Sequence, residues 1–419
     1  MRLADLRDRL RTTLWFIPSL CVAASVLLVW ATDMIDRRFP ELRESVRVVG
    51  SNASAETVLT TIATSMISLT ALVFSITVVV LQLASTQFSP RVLRTFLRDR
   101  RSQFALGVFV ATFVYSLVTL RSVGTQSEEF IPQISVGAAF ALVILSLGVF
   151  VMYINNIAQS IRVASIVKSI GDETREVIEE LYPPDLRVPD VRWSRPPRAH
   201  QFYESQKGGV IISVDEDDLV EWARDHDCVL ELLQAIGDFV PKGQRVLARY
   251  GGGAKVPLDP SDFISVAHER TMRQDIAFGF RQLVDIAERA LSPAINDPTT
   301  AVQSIDQMHD LLRRLAGRPF PGPFRVDSDG DVRLVMQAMR WEGYVSLAMD
   351  EIRQYEGRSL QVARRFRAMI NDLLIVVDDD RRSVLERELD LLDEAVTRQF
   401  PDAADRRAAA RPDEQGIGY

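Results

Sequence analysis

The chain has 419 residues, of which 47% are hydrophobic and 25% are charged, a composition typical of a folded protein with two or three domains. Its formal net charge of −7 excludes the basic surface that nucleic-acid binding requires. Its two cysteines, Cys21 and Cys228, are too few for a disulfide framework or a Cys-x-x-Cys zinc pattern. Long apolar runs are concentrated in residues 1–160 and charge in the remainder, so we expect the two halves to face different solvents.

Four apolar stretches in the first half, at 14–31, 57–90, 104–120 and 134–154, predict transmembrane helices. A helix that crosses the hydrocarbon core needs about 20 such residues. Acidic residues interrupt the basic N-terminus and no Ala-x-Ala site follows, so the first stretch is interpreted as a retained anchor rather than a cleaved signal peptide. Residues 1–160 are therefore predicted to form a four-helix transmembrane domain.

The arginines predict the orientation of these helices. Four arginines precede the first stretch and five lie between the second and the third, whereas the loop between the third and fourth has one, Arg121. Because cytoplasmic loops are enriched in Lys and Arg, we expect both termini on the cytoplasmic side of a bacterial inner membrane. The first outer loop also carries arginines, but acids are interleaved with them.

The second apolar stretch carries polar residues along one side. On a helical projection they occupy one sector with two apolar interruptions, Leu72 and Val79. Polar groups are costly in lipid, so this side must face protein or water. It is either a helix–helix interface or the wall of a water-filled pore built from several copies of the chain. The pore-lining candidates are Thr61, Ser65, Ser68, Leu72, Ser75, Val79, Gln82 and Thr86.

The second half is predicted to be a cytoplasmic α+β region. A helix over 157–182 and a proline-rich linker connect it to the membrane, within a segment assigned to 161–200. Short β-type runs and the segment "GDFVPKGQRV" resemble the hairpins of small biotinyl/lipoyl-type barrels, so 201–257 is predicted to form a small β-barrel-like subdomain without a covalent cofactor. Residues 258–400 are predicted to form a helical subdomain and 401–419 a disordered tail.

Within the helical subdomain we expect helices over 261–291, 298–317, 338–355 and 359–397, and a hairpin around Asp329-Gly330. The break between the first two, "SPAINDP", contains two prolines, and the residue before each, Ser292 or Asp297, fits the N-cap of a helix whose first residue is the proline. It is interpreted either as a capped corner or as a polar cluster that binds a ligand or another subunit. The ligand or interface candidates are Asp275, Asp285, Ser292, Asn296, Asp297 and Thr299.

Catalytic motifs are missing from the sequence. There is no phosphate-binding loop, no Gly-x-Ser-x-Gly motif and no zinc-protease motif, and the four histidines are scattered. The run His226-Asp227-Cys228 is better explained as a helix end than as a metal site. We therefore expect no metal, no cofactor and no enzymatic activity.

Three segments resemble a bacterial family of predicted membrane proteins catalogued as domain of unknown function 2254. They are "ISLTALVFSITVVVLQLASTQFSPR", "IRQYEGRS" and "DIAFGFRQLVDIAERALSPAINDPTTA". The resemblance extends over residues 10–397. It implies a membrane protein and carries no activity or catalytic residues over to this chain.

The expected fold is an α-helical membrane protein with four transmembrane helices and an α+β cytoplasmic region. The first functional hypothesis is a homo-oligomeric channel or pore for small ions in the lipid bilayer, lined by the second helix and regulated by the cytoplasmic region. The alternative is a membrane-anchored ligand-binding sensor or scaffold without transport activity.

Overall fold

In a computed structural model, the described residues are 15–46, 48–87, 100–124, 131–160, 162–253, 255–355 and 359–414. The chain divides into two compact units, with the boundary between Ser165 and Ile166. The arginines at positions 2 to 11 and 91 to 98, on which the predicted orientation depends, lie outside the described residues.

The first unit is helical. Its helices are α1 (Phe16–Arg38), α2 (Pro40–Ser45), α3 (Asn52–Gln87), α4 (Arg100–Gly124) and α5 (Gln133–Ser160). All but α2 are long and apolar enough to cross a membrane, which confirms the four predicted spans. The second span is the longest, with 36 residues in α3.

Helix α4 is the most enclosed of the four long helices, since more than half of its apolar window is buried against its neighbours. Gly107 on α4 permits close approach of α1: a β-carbon at this position would lie 2.9 Å from the sulfur of Cys21. Small residues commonly allow such close packing between membrane helices. The backbone spacing of α1 and α4 therefore depends on this glycine.

A buried acid joins the end of α1 to the beginning of α5. The carboxylate of Asp36, which is 1% exposed, accepts hydrogen bonds from the backbone N–H of Ile134 (3.0 Å) and of Ser135 (2.9 Å) and from the Ser135 hydroxyl (2.7 Å). It thus caps a helix distant in sequence and stabilises the positive end of its dipole. Nearby, Tyr115 shares a hydrogen bond with Thr32 and donates one to the Ser135 carbonyl.

Helix α6 (Val163–Leu181) follows α5. The single helix predicted over 157–182 is wrong, because 157–160 belong to α5 and a new helix begins at Val163. Residues 183–200 contain no helix or strand, as expected for the proline-rich linker.

Eight strands follow and form two sheets among the described residues. The strands are β1 (Gln201–Glu204), β2 (Gly209–Val214), β3 (Cys228–Leu232), β4 (Phe239–Val240), β5 (Arg245–Gly251), β6 (Ile264–Ala267), β7 (Phe324–Val326) and β8 (Val332–Val335). The five-stranded sheet has the order β1-β5-β3-β8-β7 and the three-stranded sheet the order β4-β2-β6. Pairing is antiparallel except between β3 and β8. Within the described part of the chain no sheet closes on itself, so the barrel-like subdomain is not confirmed.

The helix predicted over 261–291 is too long. Pro260–Asp262 form a short 3₁₀ turn, and Ile264–Ala267 pair with β2 instead of continuing a helix. The alternating Ile264 and Val266 suit a half-buried strand once β2 provides the partner. Helix α8 therefore begins only at Ile276, after its cap Asp275, and ends at Leu291.

The remaining helices are α7 (Glu216–Asp225), α9 (Pro298–Ala316), α10 (Trp341–Tyr355), α11 (Leu360–Val376), α12 (Asp379–Gln399) and α13 (Ala403–Ala409). The helix predicted over 359–397 is two helices, because Val377 and Asp378 adopt extended backbone conformations. The tail from 401, predicted to be disordered, contains α13, and the backbone N–H of Asp413 donates to the Arg364 carbonyl.

Candidate functional site

The polar residues of α3 lie on its exposed side. Leu72 and Val79, which interrupt the polar sector, are 50% and 52% exposed. The other members whose side chains are described are exposed as well: Thr61, Ser65, Ser68, Ser75 and Gln82. The side chain of Thr86 lies outside the described residues. We call this set, without Thr86, the polar face of α3.

The opposite side of α3 is apolar and packs within the unit. Ala55, Leu59, Met66 and Val73 are all buried against neighbouring helices. None of the other helices in the described ranges therefore covers the polar face of α3. It could contact another copy of the chain, water or lipid.

Some hydroxyls of the polar face are satisfied by their own helix. Thr61 donates to the Thr57 carbonyl (2.7 Å) and Ser68 to the Thr64 carbonyl (2.9 Å). The hydroxyls of Ser65 and Ser75 have no hydrogen-bond partner among the described residues. Bonding to the preceding turn reduces the cost of a hydroxyl in lipid, but it does not make the surface apolar.

The exposed sides of α1 and α5 have a different composition. They carry large apolar side chains such as Leu27 (67% exposed), Trp30 (68%), Ile144 (72%) and Leu147 (63%). These surfaces suit direct contact with lipid chains. The exposed faces of α1 and α5 are therefore apolar, whereas the exposed surface of α3 combines the polar face with apolar side chains such as Ile67 and Phe74.

The break between α8 and α9 is a capped corner. Asp297 accepts hydrogen bonds from the backbone N–H (3.1 Å) and the hydroxyl (2.6 Å) of Thr300, and α9 begins at Pro298. No bond joins Asp297 to Thr299 within the described residues. The N–H of Asp297 donates to the Ala290 carbonyl (2.7 Å), which closes the corner.

Ser292 has a different role from the predicted one. It is the C-cap of α8, with its hydroxyl donating to the Arg289 carbonyl (2.7 Å), and Pro293 begins a turn rather than a helix. Asn296 completes the turn with a positive φ of 48°, a conformation that asparagine tolerates better than most residues. The corner thus uses Ser292, Asn296 and Asp297 for local structure.

The acids predicted on α8 are not brought together with this corner. Asp275 caps the first turn of α8, accepting from the N–H of Phe278 (3.1 Å), whereas the corner follows the last turn. A helix of this length separates its ends by about 24 Å. Asp285 lies between them and pairs with Arg281 (2.7 Å), which also binds Glu288 and Glu351.

A cavity of about 680 Å³ lies in the second unit near Asp275, and sequence reasoning missed it. Its walls include Tyr182, Ile236, Ile276, Met336 and Tyr344. Arg270 forms an ion pair with Asp275 (2.6 Å), and burial raises the pKa of the Asp275 carboxyl. Volumes of this size are typical of small-molecule sites. These walls come from segments far apart in sequence, so no local pattern could have revealed them.

His309 belongs to another network that the sequence did not predict. Its Nδ1 accepts from Arg365 (2.9 Å), so Nε2 carries the hydrogen and donates to Asp372 (2.7 Å). Burial lowers the pKa of His309. The described residues contain no group of three potential metal ligands, and His226 stacks on Trp222 at the end of α7.

Four apolar helices of membrane-spanning length, followed by a separate α+β unit, define an integral membrane protein. The chain belongs to the family described as Predicted membrane protein (DUF2254), whose model matches residues 11–372. This confirms the resemblance noted in the sequence.

Mycobacterial relatives match over nearly the whole chain. Uncharacterized protein MT1328 of Mycobacterium tuberculosis (strain CDC 1551 / Oshkosh) is 32% identical over 424 residues, which cover 97% of this chain and 81% of that protein. Uncharacterized protein Mb1321c of Mycobacterium bovis has the same identity and coverage. No solved structure matches the chain.

Proposed function

We propose that the protein forms a homo-oligomeric pore for small ions in the bacterial inner membrane, with the polar face of α3 from each copy lining the path. The observation that carries the proposal is the exposure of this face on a single chain while the apolar side of α3 is buried. A second copy or water would satisfy the hydroxyls of Ser65 and Ser75 better than lipid does.

Several copies are needed because the four long helices pack against one another without enclosing a path lined by the polar face of α3. In a ring of copies, Leu72 and Val79 would form two apolar bands along an otherwise polar wall. Such bands can close a pore by excluding water. We place both termini in the cytoplasm, on the distribution of arginines, and assign the second unit a regulatory role.

A cysteine scan tests the assembly. In a chain with Cys21→Ala and Cys228→Ala, oxidation should cross-link copies that carry Ser68→Cys or Ser75→Cys. Leu147→Cys, on an apolar exposed face, is the matched control and should remain monomeric on non-reducing gels. Cross-linking at Leu147 without cross-linking at either serine would contradict the arrangement.

Conductance tests the path itself. Reconstituted protein should pass small ions, and Leu72→Ser should increase the ion flux because it removes an apolar band. Leu145→Ser is the control, since Leu145 has the same 50% exposure on α5. Bilayers that stay silent with both the wild type and Leu72→Ser, at all voltages and tensions, would refute the pore.

A scaffold or sensor without transport activity is the second candidate. It is favoured by the hydrogen bonds of Thr61 and Ser68 to their own helix, which suit a helix–helix interface as well as a wall. Cross-linking at Ser68 and Ser75 combined with silent bilayers would be the result expected of this candidate.

A further inference from the structure

Two tyrosines, Tyr182 and Tyr344, line the cavity in the second unit. The hydroxyls of Tyr182 and Tyr344 lie 3.1 Å apart, and the two residues are 5% and 3% exposed. Each hydroxyl has no other hydrogen-bond partner among the described residues. One of the two can donate to the other, so one O–H hydrogen remains without an acceptor. A buried donor of this kind is costly unless water or a ligand accepts from it.

Two ion pairs lie in the wall of the cavity. The Nε and Nη2 atoms of Arg270 donate to Asp275 (2.6 and 3.4 Å), and Arg325 pairs with Glu216. Arg325 also donates to the Gly322 carbonyl (2.7 Å). Each guanidinium keeps one terminal nitrogen without a partner in the described part of the chain. The unused hydrogen-bonding capacity of these half-buried arginines is on the donor side.

The charge balance argues against an anionic ligand. Three arginines and four acids line the cavity, and the exposed acids Glu180 and Asp238 are among them. The arginines that face the interior are neutralised by their own carboxylates. The cavity thus offers donors without a net positive charge.

We infer that this cavity binds a neutral, largely apolar organic molecule that presents a carbonyl oxygen to the Tyr182–Tyr344 hydroxyl pair. An amide, ester or ketone has the required chemistry. Leu186, Ile236, Ile276 and Met336 would contact its apolar body. This site lies entirely within the second unit and does not depend on the proposed pore.

Ligand-observed NMR on the full chain in nanodiscs tests the inference, with empty nanodiscs as background. The probe is 3-phenylpropanamide, and 3-phenylpropanoate is an anion of nearly the same shape. The amide should bind saturably and at least several-fold more tightly than the anion. No saturable binding up to the solubility limit, or tighter binding of the anion, would overturn the assignment.

Variants locate the binding. Tyr182→Phe with Tyr344→Phe removes both hydroxyls while keeping the rings, and it should weaken binding of the amide about tenfold. Tyr250 lies outside the cavity, so the Tyr250→Phe variant should bind the amide with the affinity of the wild type. If the double variant is poorly folded, Ala338→Trp is tested in its place. The tryptophan side chain would fill the cavity and should abolish binding of the amide. Unchanged affinity in a folded double variant, or in Ala338→Trp, would overturn the site.

Discussion

Gly279 on α8 lies directly against the side chain of Thr174 on α6, with no room for a β-carbon between the two helices. A β-carbon at Gly279 would lie 2.8 Å from the Thr174 Cγ2 and 2.9 Å from its Cβ. The Thr174 hydroxyl donates to the Ile170 carbonyl (2.7 Å), which holds this side chain in place. The close packing of α6 on α8 therefore depends on the absence of a side chain at position 279.

Gly279→Ala should destabilise the second unit by about 2 kcal/mol, because overpacking outweighs the usual gain from alanine in a helix. The thermal unfolding midpoint of the full chain, followed by tryptophan fluorescence, should fall by several degrees. Gly317→Ala is the control, since a β-carbon there has no neighbour within 4 Å. Equal midpoints for the two variants would show that α6 can move away freely.

Asp36→Ala should destabilise the first unit strongly, since it removes the carboxylate that accepts three hydrogen bonds from Ile134 and Ser135. Hydrogen bonds to a charged group contribute about 1.5–3 kcal/mol. The measurement is the fraction of the chain that stays monodisperse after heating in detergent. Asp33→Ala, which breaks only an exposed pair with Arg37, should cost less than about 1 kcal/mol.

Substitutions of Asp297 distinguish a structural role from a binding role for the corner between α8 and α9. Asp297→Ala should lower the free energy of unfolding by about 1 kcal/mol, the usual contribution of a cap, and Asp297→Asn by less than half of that. Stability is read from denaturation of the full chain, and function from ion flux. If Asp297→Asn abolished flux while leaving stability unchanged, the corner would have a role beyond capping.

Glu388 on α12 predicts a specific pH dependence. It is 2% exposed, its nearest cation is the Arg353 Nε at 3.7 Å, and burial raises the pKa of its carboxyl above the usual 4.5. A raised pKa means that the folded state favours the protonated acid. The stability that the protonated Glu388 contributes to the folded state is therefore complete below pH 4.5, and it is lost as the pH rises through the folded-state pKa.

Glu388→Gln should therefore become more stable relative to the wild type as the pH is raised from 5 to 8, by about 1 kcal/mol. The difference in unfolding midpoint between the two chains, measured across this range, checks the sign. Glu386→Gln, an exposed neighbour on the same helix, should show no such trend. A difference that shrinks with rising pH would mean that Glu388 is stabilised as a carboxylate by Arg353.

Features that depend on neighbouring residues were predictable from the sequence. The four spans follow from runs of apolar residues long enough for a bilayer, and the start of α9 follows from Asp297 before Pro298. The polar sector of α3 was predictable from the sequence, but the exposure of this sector on the single chain was not. The Ser292 prediction was wrong because a Ser-Pro pair fits both the end of a helix and the start of one.

Features that depend on distant segments required the folded chain. Residues 264–267 became a strand because β2 lies beside them, although their sequence also fits a helix. The hydroxyl pair of Tyr182 and Tyr344 joins residues 162 positions apart, and the surrounding cavity exists only where several elements fail to fill the space between them. Apolar length, capping and helical period act within a few residues, whereas strand pairing, cavities and the exposed side of a helix are set by packing across the whole unit.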